Sequence, residues 1–79
     1  MKREMDLIRL LLLEVEGELP KPNLESYTEE KQVYHMALLI DAGYVDGSVA
    51  QDSSGFPVGT NPIRLTWEGH EFLDNNGAV

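Results

Sequence analysis

The sequence predicts a compact α+β fold for this 79-residue chain, in the order helix, connector, helix, β-hairpin, helix. Three observations predict it. Apolar residues recur at helical spacing in two segments of the N-terminal half. Two short segments with strand character flank a stretch rich in Gly, Ser and Pro, and a threonine precedes a final amphipathic segment. The length allows one domain, residues 1–79, of which we expect residues 75–79 to be a frayed tail.

Two helices are predicted before the hairpin, over residues 3–16 and 28–42. The first has a broad apolar stripe: Met5, Leu7, Ile8, Leu11, Leu12 and Val15. The second has a narrower one: Val33, Met36, Ala37 and Ile40. Gly17 and Gly43 are placed to end these helices in the left-handed conformation. Thr28 is the expected N-cap of the second helix, and a capping box of Ser26 with Glu29 is the alternative.

The connector, residues 17–27, contains Pro20 and Pro22, which exclude a helix there. A very short edge strand is the expectation for residues 23–26.

Residues 44–50 and 62–66 are the predicted strands of the hairpin, joined by a long loop over residues 51–61. Alternation in the second strand places Ile63 and Leu65 on one face. A final helix is predicted over residues 67–75, with Thr66 as its N-cap and with Phe72 and Leu73 toward the core.

The hairpin and its flanks carry a resemblance to a known fold. The helix ends in Ala42-Gly43-Tyr44-Val45, and the returning strand ends in Leu65-Thr66, with Gly69 and Leu73 after it. This pattern resembles a winged-helix domain, in which the hairpin is the wing. Gly69 would let the last helix approach its neighbour closely. A usual winged helix has three helices before the wing, whereas this chain has room for two.

A closer resemblance covers nearly the whole chain. The segments MKREMDLIRLLLLEVE, YHMALLIDAGYV and RLTWEGHEFLD resemble, in order and spacing, a family of small bacterial and prophage proteins classed as a domain of unknown function, similar in style to YjcQ-like proteins. The resemblance implies a winged-helix-like structure and an association with mobile elements. It implies no catalytic residues.

Composition restricts the function. The chain has six Lys and Arg and fourteen Asp and Glu, which gives a formal net charge of −8. A negative charge of this size repels nucleic acid and anionic lipid. There is no cysteine, so disulfides and cysteine-bound zinc are excluded. Charged residues interrupt the N-terminal apolar run, which argues against a signal peptide or a membrane span. We expect a cytoplasmic protein that does not bind membranes.

No catalytic, cofactor or metal site is expected. His70 and Asp74 lie four residues apart on a predicted helix, with Glu71 between them. Zinc proteases use two histidines at that spacing, and the second histidine is missing here. The abundant carboxylates show no paired arrangement that would indicate acid–base catalysis. We therefore expect a protein that is not an enzyme.

Two kinds of partner are weighed. A protein partner, or a second copy of the chain, is favoured because apolar pairs lie off the main helical stripes. The candidate partner surface consists of Leu10, Leu13, Lys31, Tyr34, His35 and Leu38. The alternative is a DNA-binding transcriptional regulator with an atypical surface. Its candidate contacts are Lys2, Arg3, Arg9, Lys31 and Arg64.

Overall fold

The computed structural model describes residues 3–17 and 22–76, and these form three helices and one hairpin. The elements are α1 (Met5–Glu16), α2 (Glu29–Asp41), β1 (Val45–Gln51), β2 (Pro57–Leu65) and α3 (Trp67–Asn76). The strands pair antiparallel in a two-stranded sheet. The order confirms the predicted α+β class and is consistent with a winged-helix-like arrangement. No described helix has the length and apolar character needed to cross a membrane.

The core is formed where the helices meet the base of the hairpin. Its buried members are Leu7, Ile8, Leu11, Leu12, Met36, Leu39, Val45, Leu65 and Leu73. Four of the nine come from α1, as its broad apolar stripe predicts. Met5, in the first turn of α1, departs from that prediction because its side chain is 47% exposed.

The helix ends follow the predicted capping chemistry. Gly17 and Gly43 adopt φ values of 79° and 85°, a region that favours glycine. The Thr28 hydroxyl accepts a hydrogen bond from the Lys31 N–H at 3.1 Å, so Thr28 rather than Ser26 caps α2. The Thr66 hydroxyl likewise accepts from the Gly69 N–H at 3.1 Å. These caps place α2 and α3 at the residues where the sequence predicts them to begin.

The core-facing side of α2 differs from the predicted stripe. Its buried residues are His35, Met36 and Leu39, whereas Val33, Ala37 and Ile40 are only half-buried. The physical reason is the position of the hairpin. The hairpin covers the side of α2 that carries Val33, Ala37 and Ile40 incompletely, so these side chains line an open groove. Ile40 also packs against the core.

The hairpin loop is shorter than predicted. Strand β2 begins at Pro57, so residues 52–56 alone connect the strands. The Asp52 carboxylate accepts from the Phe56 N–H at 2.9 Å, and the Asp52 N–H donates to the Phe56 carbonyl at 2.9 Å. Gly55 has a φ of 84°. These local hydrogen bonds close the turn within residues 52–56. Residues 57–61, whose composition is typical of a loop, therefore belong to strand β2.

Two irregularities interrupt the strand pairing. The register shifts between Asp46 and Gly47 and again between Ala50 and Gln51, and each shift passes over one residue of β2, Ile63 and Val58 respectively. Both side chains are exposed, Ile63 by 69% and Val58 by 58%. The prediction that Ile63 shares the face of the buried Leu65 is therefore wrong, because the irregularity breaks the alternation between them.

The connector contains no strand among its described residues. The Asn23 side chain accepts from the Glu25 N–H at 2.9 Å, and the Tyr27 N–H donates to the Leu24 carbonyl at 3.0 Å. The side-chain amide of Gln32 donates to the carbonyls of Leu24 and Tyr27. These bonds form a turn, which replaces the predicted edge strand at residues 23–26. Pro20 lies outside the described residues.

Candidate functional site: a groove between the second helix and the hairpin

Two neighbouring clefts lie between α2 and the hairpin, and both are bounded by Pro57. The first has a volume of about 260 Å³ and is lined largely by apolar side chains: Tyr34, Ala37, Leu38, Ile40, Val49 and Pro57. The second has a volume of about 360 Å³ and adds Val33, Phe56 and Val58. We call the two clefts together the α2–hairpin groove. Its walls are open and largely apolar.

The turn of the hairpin positions the far wall of the groove. The Asp52 carboxylate accepts hydrogen bonds from the N–H groups of Ser54 and Phe56, both at 2.9 Å. The Ser54 hydroxyl donates to the same oxygen at 2.9 Å. These bonds, led by the one from Phe56, hold the pKa of Asp52 below its usual range. A deprotonated Asp52 therefore orders the chain immediately before Phe56 enters the groove wall.

Carboxylates rim the groove at both ends. Glu29 and Glu30 line the second cleft, and Asp41 lines the first. None of the three forms an ion pair within residues 3–17 and 22–76. The groove is therefore apolar along its length and negatively charged at its ends.

Two of the cations predicted to meet nucleic acid are already paired with carboxylates. Lys31 Nζ lies 3.0 Å from Glu4 Oε2, and Arg64 Nε lies 3.0 Å from Asp46 Oδ2. Arg3 is exposed and Arg9 is half-buried, both toward the N-terminal end of the chain. Lys2 lies outside the described residues. Over the part of the chain that the structure describes, no continuous basic face accompanies the winged-helix-like arrangement.

The predicted partner residues divide into two sets. Tyr34 and Leu38, the apolar pair predicted to lie off the main stripe of α2, both line the groove. Leu10 and Leu13 are half-buried, and Leu13 packs against the core. Neither leucine lines the groove. Sequence reasoning also missed Phe56 and Val58. The only available signal was an apolar Phe-Pro-Val run in a segment interpreted as loop.

His35 is not a surface residue, in contrast to its prediction as a partner contact. Its side chain is 0% exposed. The Glu4 N–H donates to His35 Nε2 at 2.8 Å, and His35 Nδ1 lies 2.8 Å from the Lys31 carbonyl. A ring that accepts at Nε2 and donates from Nδ1 is the neutral tautomer. His35 thus joins the start of α1 to α2, which is a structural role.

The histidine on α3 pairs with a carboxylate of α1. His70 Nδ1 lies 3.4 Å from Glu16 Oε2. No group of three or more potential ligands for a metal ion occurs among the residues that the structure describes. The His70–Asp74 spacing is therefore not accompanied by further ligands there.

The fold defines a small α+β domain with a winged-helix-like order of elements. The chain belongs to the family described as "Hypothetical protein (DUF2513)", whose model matches residues 2–77. It is similar to an uncharacterized protein of Haemophilus influenzae (strain ATCC 51907 / DSM 11121 / KW20 / Rd), with 38% identity over an alignment that covers 94% of this chain. The chain spans 66% of the length of that relative. No solved structure matches the chain. The expected family of unknown function is thereby confirmed.

Proposed function

We propose that this protein is a non-catalytic interaction module, an adaptor or modulator that binds another protein through the α2–hairpin groove. The observation that carries the proposal is the incomplete cover of α2. Val33, Ala37 and Ile40 belong to an apolar helix stripe, yet they face an open groove beside the exposed side chains of Phe56 and Val58. Apolar surface that is left open in a folded domain is typical of sites that a partner covers.

The second candidate is a DNA-binding regulator, which the winged-helix-like arrangement favours. In that arrangement α2 is the element expected to meet the major groove. Its first turn presents Glu29 and Glu30, and the nearby Lys31 is paired with Glu4. Each carboxylate near a phosphate raises the free energy of binding, and each paired cation has to exchange its partner first. The charges therefore favour the protein partner. An association with prophages, which the family resemblance implies, is part of the proposal that this protein is an interaction module.

Two measurements on the full chain test these functions. The first is an amide NMR titration with mixed-sequence duplex DNA at low salt. The proposal expects unchanged resonances in α2 and the hairpin. Shifts there that disappear steeply with added salt would replace the proposal by the regulator.

The second measurement places a photo-cross-linking amino acid at Val58 in living cells, with Ile63 as the matched control position. Both are exposed residues of β2 at register shifts, and Val58 alone lines the groove. The expected result is a single protein adduct from position 58, absent from position 63 and reproduced with the purified partner. Equal adducts from both positions, or none from position 58, would contradict groove-mediated binding.

A further inference from the structure

We infer that the α2–hairpin groove receives a short cationic amphipathic helix of another protein, anchored by two apolar side chains about two helical turns apart. The inference rests on the proposed function and names the chemistry of its partner. The spacing of the two clefts, the charge at their ends and the charge of the whole chain each support it.

The spacing of the clefts sets the spacing of the anchors. Along α2, the second cleft is lined by Glu29, Glu30 and Val33, and the first by residues from Tyr34 to Asp41. The centres of these two sets are separated by roughly seven residues, which corresponds to about 10 Å at 1.5 Å per residue. Side chains at positions i and i+7 of a partner helix are separated by the same distance, and such anchors are used when a helix lies in a groove.

The size of the clefts fits one large side chain each. Their volumes are about 260 and 360 Å³. An apolar cavity of ~150 Å³ accommodates benzene, so an aliphatic or aromatic side chain fits either cleft. Pro57 lies between them and would contact the partner segment between its two anchors.

The ends of the groove select positive charge in the partner. Glu29 and Glu30 lie at one end and Asp41 at the other, none of them in an ion pair within the described residues. The N-terminal dipole of α2 offsets about half of one charge, which is less than the two carboxylates that lie there. Lys or Arg at both ends of the partner segment would pair with these groups as the anchors enter the clefts.

The charge of the whole chain favours a different protein over a second copy. A second copy brings another net charge of −8 to the interface. Lys31 and Arg64 are already paired with Glu4 and Asp46. Self-association through the groove would therefore place like charges together at both ends, whereas a basic segment removes that repulsion.

The probe for a direct test is a synthetic peptide of about 15 residues, two helical turns plus flanks, with leucines seven positions apart and lysines at both ends. Isothermal titration calorimetry and amide NMR of the labelled full chain measure its binding. The expected result is saturable binding with shifts in α2 and the hairpin. The control peptides carry glutamate in place of lysine, or the same residues with the leucines adjacent. Both controls are expected to bind roughly tenfold or more weakly.

Charge-reversed variants separate groove binding from general attraction between opposite charges. Glu29→Lys combined with Glu30→Lys changes the net charge by the same amount as Glu68→Lys combined with Asp74→Lys on α3. All four side chains are exposed. The first pair is expected to weaken peptide binding roughly tenfold or more, and the second pair by a few-fold at most. Equal losses would show that only net charge attracts the peptide, and would overturn the inference.

Apolar variants test the anchors. Val58→Glu is expected to reduce binding of the lysine peptide roughly tenfold or more, and Ile63→Glu to leave it unchanged, with circular dichroism confirming that both variants fold. Equal binding by both variants would overturn the inference.

The cross-linking and peptide-binding experiments distinguish failure of the proposed function from failure of the inference. A position-specific adduct at residue 58 without peptide binding would reject the cationic helix and retain the interaction module. An adduct that proves to be a second copy of this chain would also reject the cationic partner. Absence of both the adduct and peptide binding would reject both.

Discussion

Replacing His35 provides a direct measure of what holds the start of α1 against α2. The imidazole is 0% exposed and its two nitrogens are both engaged, with the Glu4 N–H donating to Nε2 at 2.8 Å. His35→Phe fills most of the same space and removes both bonds. The half-buried Glu4 N–H then has no acceptor, which lowers the free energy of unfolding by about 1–3 kcal/mol.

His35→Ala adds a cavity to the lost hydrogen bonds, so we expect a loss of about 3–5 kcal/mol. The whole free energy of unfolding of a domain of this size is about 5 kcal/mol or somewhat more. The alanine variant is therefore expected to be largely unfolded at 37 °C, and the phenylalanine variant folded with a lower midpoint.

Urea denaturation at neutral pH, followed by circular dichroism, measures both variants. The matched control is His70→Phe, the same substitution at the exposed histidine of α3, where only the surface contact with Glu16 is lost and a change of about 1 kcal/mol or less is expected. If His35→Phe were as stable as the parent chain, the hydrogen bond from Glu4 would make no net contribution, and the structural role assigned to this histidine would be refuted.

Three further predictions concern the hairpin and α3. Gly69→Ala would place a Cβ against the Tyr44 carbonyl, so thermal denaturation should show a loss of about 1–3 kcal/mol despite the better helix propensity of alanine, and an unchanged midpoint would contradict the close approach. Thr66→Ala removes the cap of α3 and a 2.6 Å hydrogen bond to the Gly43 carbonyl, for a loss of about 1–2 kcal/mol that Thr66→Ser should largely restore. The pKa of Asp52 is lower in the folded chain than the ordinary aspartate value of 3.8, so its contribution to the order of the turn is complete above that value and is lost as the pH falls through the folded pKa. The Phe56 amide resonance should follow this titration, and a midpoint at or above 3.8 would contradict it.

The order of elements followed from the sequence because its determinants are local. Glycines that end helices, threonines that begin them and the 3.6-residue period each act within one turn of chain. Gly17, Gly43, Thr28 and Thr66 therefore have their expected roles. The close approach at Gly69 was also predictable, since a glycine within a short amphipathic helix indicates a near neighbour.

The sequence indicated only some of the residues that line the groove. Tyr34 and Leu38 were recognised as lying off the main stripe of α2, and both line it. Phe56 and Val58 are not predictable from composition, because the length of the hairpin loop depends on hydrogen bonds that the Asp52 carboxylate accepts from the N–H groups of Ser54 and Phe56.

Tertiary packing alone decided which residues are covered. A helix stripe shows that a side is apolar, and the placement of the neighbouring elements determines whether that side is buried. His35 is enclosed because the start of α1 lies against it, although its residue type suggested a surface position. Val33, Ala37 and Ile40 remain partly open because the hairpin covers them incompletely. The sequence by itself therefore determined the order of the three helices and the hairpin, the ends of the helices and the acidic charge. The tertiary structure decided the burial of His35 and the existence of the groove, because both depend on contacts between segments that are distant along the chain.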